Sequence, residues 1–286
     1  HTAFEGIADP AKRGDFRRTQ QENFQYSLDL TASYNKLLGE VHYVTANARM
    51  SVQESKNENY GAHVTGFPNE NMDEILFGKQ YDEKMTGSEN TSRLIGWAGS
   101  FGYSYAYKYS VDFSIRLDGS SQFGKDNRFA PFWAAGVRWD VKKENFMSRV
   151  DFISEFVLRA SYGVTGTQGF APYQSRELYS YNALLYPYLA SDGTGVELVA
   201  MPNEKLKWQQ TDTWNIGLEM GLLNGRITAR AEYFQKLTKN SLTQVTLAPS
   251  LGFGSYPENM GTLENKGVEL NFAFIPYQNT AKSAYW

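Results

Sequence analysis

The side chains that could do chemistry are dispersed. The chain has 286 residues with three histidines, His1, His42 and His63, whose spacing suggests neither a catalytic triad nor a zinc site. Cysteine is absent, which removes disulfides, thiolate ligands and cysteine nucleophiles. There are 31 acids, yet sequence cannot set two of them across a glycosidic bond. No glycine-rich loop follows a strand and opens a helix around a phosphate. Oxygens gather at Asp118, Asp126 and Asn127, where calcium is one reading. The spacing fits no established calcium loop, and Asx-turn hydrogen bonding at "DGSSQFG" (118–124) accounts for the same residues. These observations predict no enzyme, no metal and no cofactor. The loop from 165 to 210, with "YQSRELYSYNALLYPY" (173–188), is the best candidate for recognition. Its candidate substrate-binding residues are Arg176, Tyr179, Tyr181, Asn182 and Tyr186, because tyrosine faces stack on sugar rings while Asn and Arg bind hydroxyls or carbonyls. The alternative is that this loop packs on its neighbours or on a partner.

The elements that must position such residues alternate with period two. In 110–118, Val111, Phe113, Ile115 and Leu117 alternate with Asp112, Ser114, Arg116 and Asp118. In 133–141, Trp133, Ala135, Val137, Trp139 and Val141 alternate with Ala134, Gly136, Arg138 and Asp140. The same pattern runs through 24–34, 41–53, 93–105, 156–164, 211–220, 226–235 and 268–275, so nine strands are expected. Their connections alternate between short ("NKLLGE", "AYK", "GLLNG") and mostly long (54–92, 119–132, 165–210 and 236–267). Short turns on one rim and long loops on the other describe a transmembrane antiparallel up-and-down β-barrel. A soluble carbohydrate-binding β-sandwich would also alternate along each strand, with its apolar face buried, but it has no reason to keep that loop pattern. Aromatic residues make up 15 % of the chain, with 19 Tyr, 18 Phe and 6 Trp, which suits aromatic girdles at two membrane surfaces. No run reaches the roughly 18 apolar residues of a membrane helix. The net charge of −3 gives no electrostatic reason to expect nucleic acid.

In a barrel the apolar face meets lipid and the polar face meets the lumen. The expected lumen-facing set is Asp112, Arg116, Arg138, Asp140, Arg159, Glu219 and Arg230. Balanced signs suit mixed ion pairs and give no strong ion filter; the alternative is that these side chains pair across strands and never meet cargo. An antiparallel barrel of one bacterial chain closes with an even strand number. Nine strands, with "NTAKSAYW" as a turn and the beginning of a tenth, predict a piece of a larger barrel. A passive porin would require an even count and a proper final strand.

Four stretches carry a resemblance. "RLDGSSQFGKDNRFAPFWAAGVRWDVKKENFM" (116–147), "LRASYGVTGTQG" (158–169), "NEKLKWQQTDTWNIGLEMGLLNGRITARAEYFQKLTKNSL" (203–242) and "ENMGTLENKGVELNF" (258–272) together resemble the barrel of the SusC/RagA family of TonB-dependent outer-membrane transporters. The resemblance implies that residues 1–286 are nine to ten strands of a barrel of roughly 22 strands, with the plug and N-terminal domains outside this chain. It implies active import of oligosaccharides or peptides across the outer membrane of a Gram-negative bacterium of the Bacteroidota. A SusD-like lipoprotein would serve as lid, TonB would act through the N-terminal region, and the long loops would be extracellular.

Overall fold

Strands form wherever the sequence alternates, and the computed structural model also extends several of them beyond that alternation. It describes residues 9–72, 74–81, 85–169, 172–182, 195–276, 278–279 and 284–285. In chain order the strands are β1 (Asp15–Leu38), β2 (His42–Thr65), β3 (Gln80–Tyr81), β4 (Thr86–Tyr105), β5 (Tyr109–Ser120), β6 (Phe129–Asp140), β7 (Ile153–Thr167), β8 (Leu178–Asn182), β9 (Gly195–Ala200), β10 (Gln209–Leu222), β11 (Ile227–Lys239), β12 (Leu242–Thr246), β13 (Ser255–Asn259), β14 (Thr262–Phe274), β15 (Gln278–Asn279) and β16 (Ala284–Tyr285). The main sheet runs β1-β2-β4-β5-β6-β7-β10-β11-β14, with β3 added beside β2. Each long strand therefore pairs with the next long strand in sequence, the up-and-down order. The fold is all-β, and the sheet is open at β1 and at β14. Three hairpins stand apart from it: β8–β9, β12–β13 and β15–β16. The expected tenth strand falls in the β15–β16 region, where 280–283 and 286 lie outside the described residues.

The chain divides into two compact units. The second comprises residues 28–52 and 94–286, and its register separates side chains by chemistry. Ser100 lies opposite Ser114, Ala98 opposite Arg116, and Gly102 opposite Asp112 on one face. Phe101 lies opposite Phe113, and Trp97 opposite Leu117, on the other. The division continues across β6 and β7, where Gly136 meets Ser161 while Val137 meets Ala160. A slip of one residue would exchange the two faces, so the apolar pattern fixes the register.

The apolar face carries aromatic residues at two levels. Trp133 meets Tyr162 edge-on at 5.3 Å, and Tyr162 meets Trp214 at 4.5 Å. Nearer the short turns, Tyr109 stacks on Trp139 at 6.4 Å and His42 on Tyr103 at 6.1 Å. On β6, Trp133 and Trp139 are about 20 Å apart at the rise of an antiparallel strand. On a strand tilted by about 40° this spans about 15 Å of height, which fits inside the apolar band of an outer-membrane barrel, about 25 Å tall.

Two of the short turns use the left-handed backbone that hairpins of matching twist require. Gly39 and Glu40 have φ of 55° and 62°, and Ala106 and Tyr107 have φ of 50° and 54°. Only one of these four residues is glycine, so the 106–107 turn carries strain from two side chains.

The first unit comprises residues 1–27 and 53–93. It contains residues 15–27 of β1, 53–65 of β2 and 86–93 of β4. Here the sequence is polar at nearly every position ("RRTQQEN", "QESKNEN", "TGSENTSR"), yet the strands persist. Residues 11–13 close one end: Gly66 and Phe67 donate backbone N–H groups to the Arg13 carbonyl at 3.0 and 2.8 Å, and Thr65 donates its hydroxyl to the Ala11 carbonyl at 2.9 Å. His63 Nε2 and Asp15 Oδ2 lie 2.5 Å apart beside this closure, and Phe67 is buried under it.

Candidate functional site

The polar face of the second unit is a lattice of opposite charges. Arg159 on β7 reaches two acids, Glu219 on β10 at 3.1 Å and Glu232 on β11 at 2.7 Å. Arg230 lies 3.7 Å from Glu219. Gly217 makes the arrangement possible: it sits opposite Arg159 in the register, and a Cβ there would lie 2.5 Å from the Arg159 Nε. Arg138 and Arg159 are directly opposite each other, a repulsive pair that the acids relieve on both sides. Asp140 accepts Lys143 at 3.1 Å and lies 4.0 Å from Arg138. Arg116 holds Asp118 at 2.5 Å, and Arg49 holds Asp29 at 2.7 Å. Asp112 fills the space over Gly102, where a Cβ would come within 3.0 Å of its Oδ1. The seven residues expected at the lumen thus share one face, and six of them are in ion pairs: Arg116, Arg138, Asp140, Arg159, Glu219 and Arg230.

Beside this lattice the same face has a hollow of about 410 Å³. Its floor is built from small side chains, Ala98, Ser100, Ser114 and Ala134, and its rim from Arg49, Arg116 and Phe132. Small residues from three adjacent strands leave the space open; larger ones would fill it.

Phe132 also supports the long connections. It is buried with Phe123, Ala130 and Trp208. Trp208 stacks on Phe123 at 4.4 Å and meets Phe132 edge-on at 5.6 Å, and its indole N–H points to the Arg128 carbonyl at 3.4 Å. Around this cluster, residues 203–208 act as a strap. The Asn203 amide donates to the Pro257 carbonyl at 2.7 Å, Asn259 donates to the Lys207 carbonyl and accepts from its N–H at 2.9 Å each, and Asn127 donates to the Lys205 carbonyl at 3.3 Å. Ser175 donates to the Gln122 carbonyl at 3.0 Å. Three sequence-distant connections, 121–128, 168–208 and 240–261, are thereby joined.

The tyrosine-rich stretch emerges from this joined region. Arg176 is exposed at its base. Tyr179 is exposed, and its hydroxyl donates to Glu177 at 2.6 Å, a bond that raises the Tyr179 pKa. Tyr181 and Asn182 lie in β8, opposite Val196 and Gly195. Tyr186 lies outside the described residues. Of the residues considered for calcium, Asp118 accepts from Arg116, and Asn127 donates its side-chain N–H to the Lys205 carbonyl. Sequence reasoning missed the strap, because Asn203, Trp208 and Asn259 sit in no periodic pattern. Its only signal was a tryptophan placed just before a strand.

Comparison with known proteins follows the same lines. A family model described as TonB dependent receptor-like, beta-barrel matches residues 2–286. The TonB-dependent receptor P39 of Formosa agariphila is 31 % identical over 265 residues, covering 91 % of this chain and 24 % of the relative. The TonB-dependent receptor SusC of Bacteroides thetaiotaomicron is 33 % identical over 224 residues, covering 75 % of this chain and 22 % of SusC. Among solved structures, the RagAB peptide transporter matches with a TM-score of 0.84 and 27 % identity, over 92 % of this chain and 29 % of the matched one. The chain thus spans about a quarter of the length of the relatives it matches.

Proposed function

This chain belongs to the TonB-dependent receptor-like β-barrel family, and from that membership we propose that it forms part of the barrel of an active outer-membrane importer of the SusC/RagA type. The likeness to the RagAB peptide transporter, held in both sequence and fold, carries the proposal. The two-faced sheet supports it. The apolar face, with its two aromatic levels, suits lipid, and the ion-paired face suits a lumen. In this reading Asp112, Arg116, Arg138, Asp140, Arg159, Glu219 and Arg230 face the lumen, and mutual neutralisation leaves a wall without a strong field. The short turns face the periplasm and the long connections face outward. Cargo is an oligosaccharide or a peptide, met first by the strapped loops with Arg176, Tyr179, Tyr181 and Asn182, and Tyr186 belongs to the same stretch. A SusD-like lipoprotein covers the mouth, and TonB supplies the energy through the parent protein. A passive porin would need no such partners, and an enzyme would need a catalytic pair that the dispersed acids do not suggest.

Uptake tests this reading. Cells carrying the full-length parent gene, with and without a working TonB, are fed labelled neutral oligosaccharides and labelled peptides. Import requires both the gene and TonB. Uptake that persists without TonB sinks the active-import reading and favours a passive pore.

A further inference from the structure

The first unit has two faces that differ in how their polar groups are used. Alternation along the strands, anchored by direct contacts, assigns them. Tyr26, Glu54 and Arg93 meet on one face. His63 with Asp15, and Gly61 against Thr86, lie on the other. The first face is knit together: Glu54 accepts from Arg93 at 2.9 Å and from Tyr26 at 3.3 Å, Lys56 pairs with Glu58 and with Glu89, and Tyr60 donates to Glu58 at 2.8 Å. The opposite face carries seven carboxamides: Gln21, Asn23 and Gln25 on β1, Gln53, Asn57 and Asn59 on β2, and Asn90 on β4. None of the seven makes a side-chain hydrogen bond among the described residues. The Asn57 Oδ1 is shielded from solvent and still has no partner, a state that costs stability unless something supplies a donor.

We propose that this carboxamide face is a cargo-binding surface that holds an extended peptide by its main chain. The inference rests on the import reading and adds to it a site and a substrate class. Each Asn or Gln offers a planar donor and acceptor together, the complement of a peptide N–H and C=O. An array of them binds main chain whatever the side chains are. On β1 the face has no aromatic ring: positions 17, 19, 21, 23 and 25 are Arg, Thr, Gln, Asn and Gln. The β2 and β4 positions beside them, 53, 55, 57, 59, 88, 90 and 92, are Gln, Ser, Asn, Asn, Ser, Asn and Ser. A sugar therefore finds no stacking platform there. The ionisable residues of this face, Asp15, Arg17 and His63, gather at one end, and from 19 to 25 it is uncharged, so neutral cargo is favoured over a polyion. The knit face uses its charges internally and has no comparable set of free donors among the described residues.

The test uses the full-length transporter in its own outer membrane with TonB active. The probes are a library of short uncharged peptides, the same library N-methylated along the main chain, and a mixture of neutral oligosaccharides. One variant combines Asn57→Ala, Asn59→Ala and Asn90→Ala. A second combines Gln21→Ala, Asn23→Ala and Gln25→Ala; it changes only exposed β1 side chains and stands in if the first fails to reach the membrane. The expected result is peptide uptake that falls about tenfold or more in the variants at equal surface level, with the N-methylated library excluded from the wild type. Equal uptake by wild type and variants overturns the proposal while leaving the importer intact. Uptake of oligosaccharides alone, or of N-methylated peptides as well as ordinary ones, also overturns it. A wild type that imports none of the probes under TonB refutes the import reading, and this proposal with it.

Discussion

Replacing Trp208 with alanine tests whether the strapped loops are held by their aromatic cluster. The indole is 6 % exposed and lies between Phe123, at 1 %, and Phe132, at 5 %. Removing a buried tryptophan from such packing costs about 3–5 kcal/mol, through lost burial and the cavity left behind. The loss falls on the loops, because β6 and β7 keep their own ladder. At about 1.4 kcal/mol per tenfold, the population of locally opened 203–208 should rise between roughly a hundredfold and a few thousandfold. Limited proteolysis of the full-length protein at low protease reads this population directly, since cleavage is then slow against reclosing. Trp208→Phe keeps a ring in the stack and loses the indole N–H bond to Arg128, so it should raise cleavage only about fivefold. A rise below tenfold for Trp208→Ala would refute the argument and assign the strap's strength to the asparagine bonds.

Three further outcomes are expected. Gly217→Ala places a Cβ 2.5 Å from the Arg159 Nε, which moves the guanidinium off Glu219 and Glu232; thermal unfolding should show a loss of about 1–2 kcal/mol, and an unchanged melting point would mean that Arg159 relaxes freely. Ala106→Gly removes a side chain from left-handed backbone and should stabilise the barrel by about 1 kcal/mol, seen as a higher melting temperature in detergent. The Glu144 carboxyl, in the turn after β6, is held below its ordinary pKa by hydrogen bonds from Tyr109 and then Trp139. A carboxyl depressed in the folded state stabilises it above the unfolded pKa of about 4.3, and the contribution is lost as pH falls through the folded value. Acid titration of tryptophan fluorescence should therefore show a transition below about pH 4.3 that Glu144→Gln abolishes; a transition unmoved by the substitution assigns it to another group.

All nine expected strands lie on the main sheet, because in each one face must be apolar and period two makes that visible. Val111, Phe113, Ile115 and Leu117 could hardly be read otherwise. The sequence pattern fell silent where that requirement lapsed. β1 begins at Asp15 and β2 runs to Thr65, but "RRTQQEN" and "QESKNEN" are polar on both sides, so no period marked them and 54–92 read as a loop. The connection between β2 and β4 is in fact 66–85. The short hairpins β8–β9 and β12–β13 were likewise unmarked. Within the candidate site, shared-face membership of Asp112, Arg116 and Arg159 followed from parity alone. The partners did not: Arg159 joins Glu219 and Glu232 across two strand boundaries, and only the register supplies that. Trp208 and Asn259 needed the folded loops, since their contacts cross sequence separations that no local pattern encodes.

The division of this sheet into a lipid-suited and a polar face also bears on how the polypeptide travels before it folds. Spread out, Val111, Phe113, Ile115 and Leu117 are each insulated by a hydrophilic neighbour, and no stretch is greasy for long enough to lodge in a bilayer as a helix. On the import reading proposed above, this segment would pass through a first membrane without stopping and remain hydrated in transit. Its oily surface comes into existence only when neighbouring strands lock in register and turn one side of the pleat outward. Pairing must then come with or before insertion, since unpaired backbone in hydrocarbon has nothing to bond to. The alternation that makes the finished wall amphipathic is thus also a delay: it hides the membrane address until the architecture able to use it has assembled.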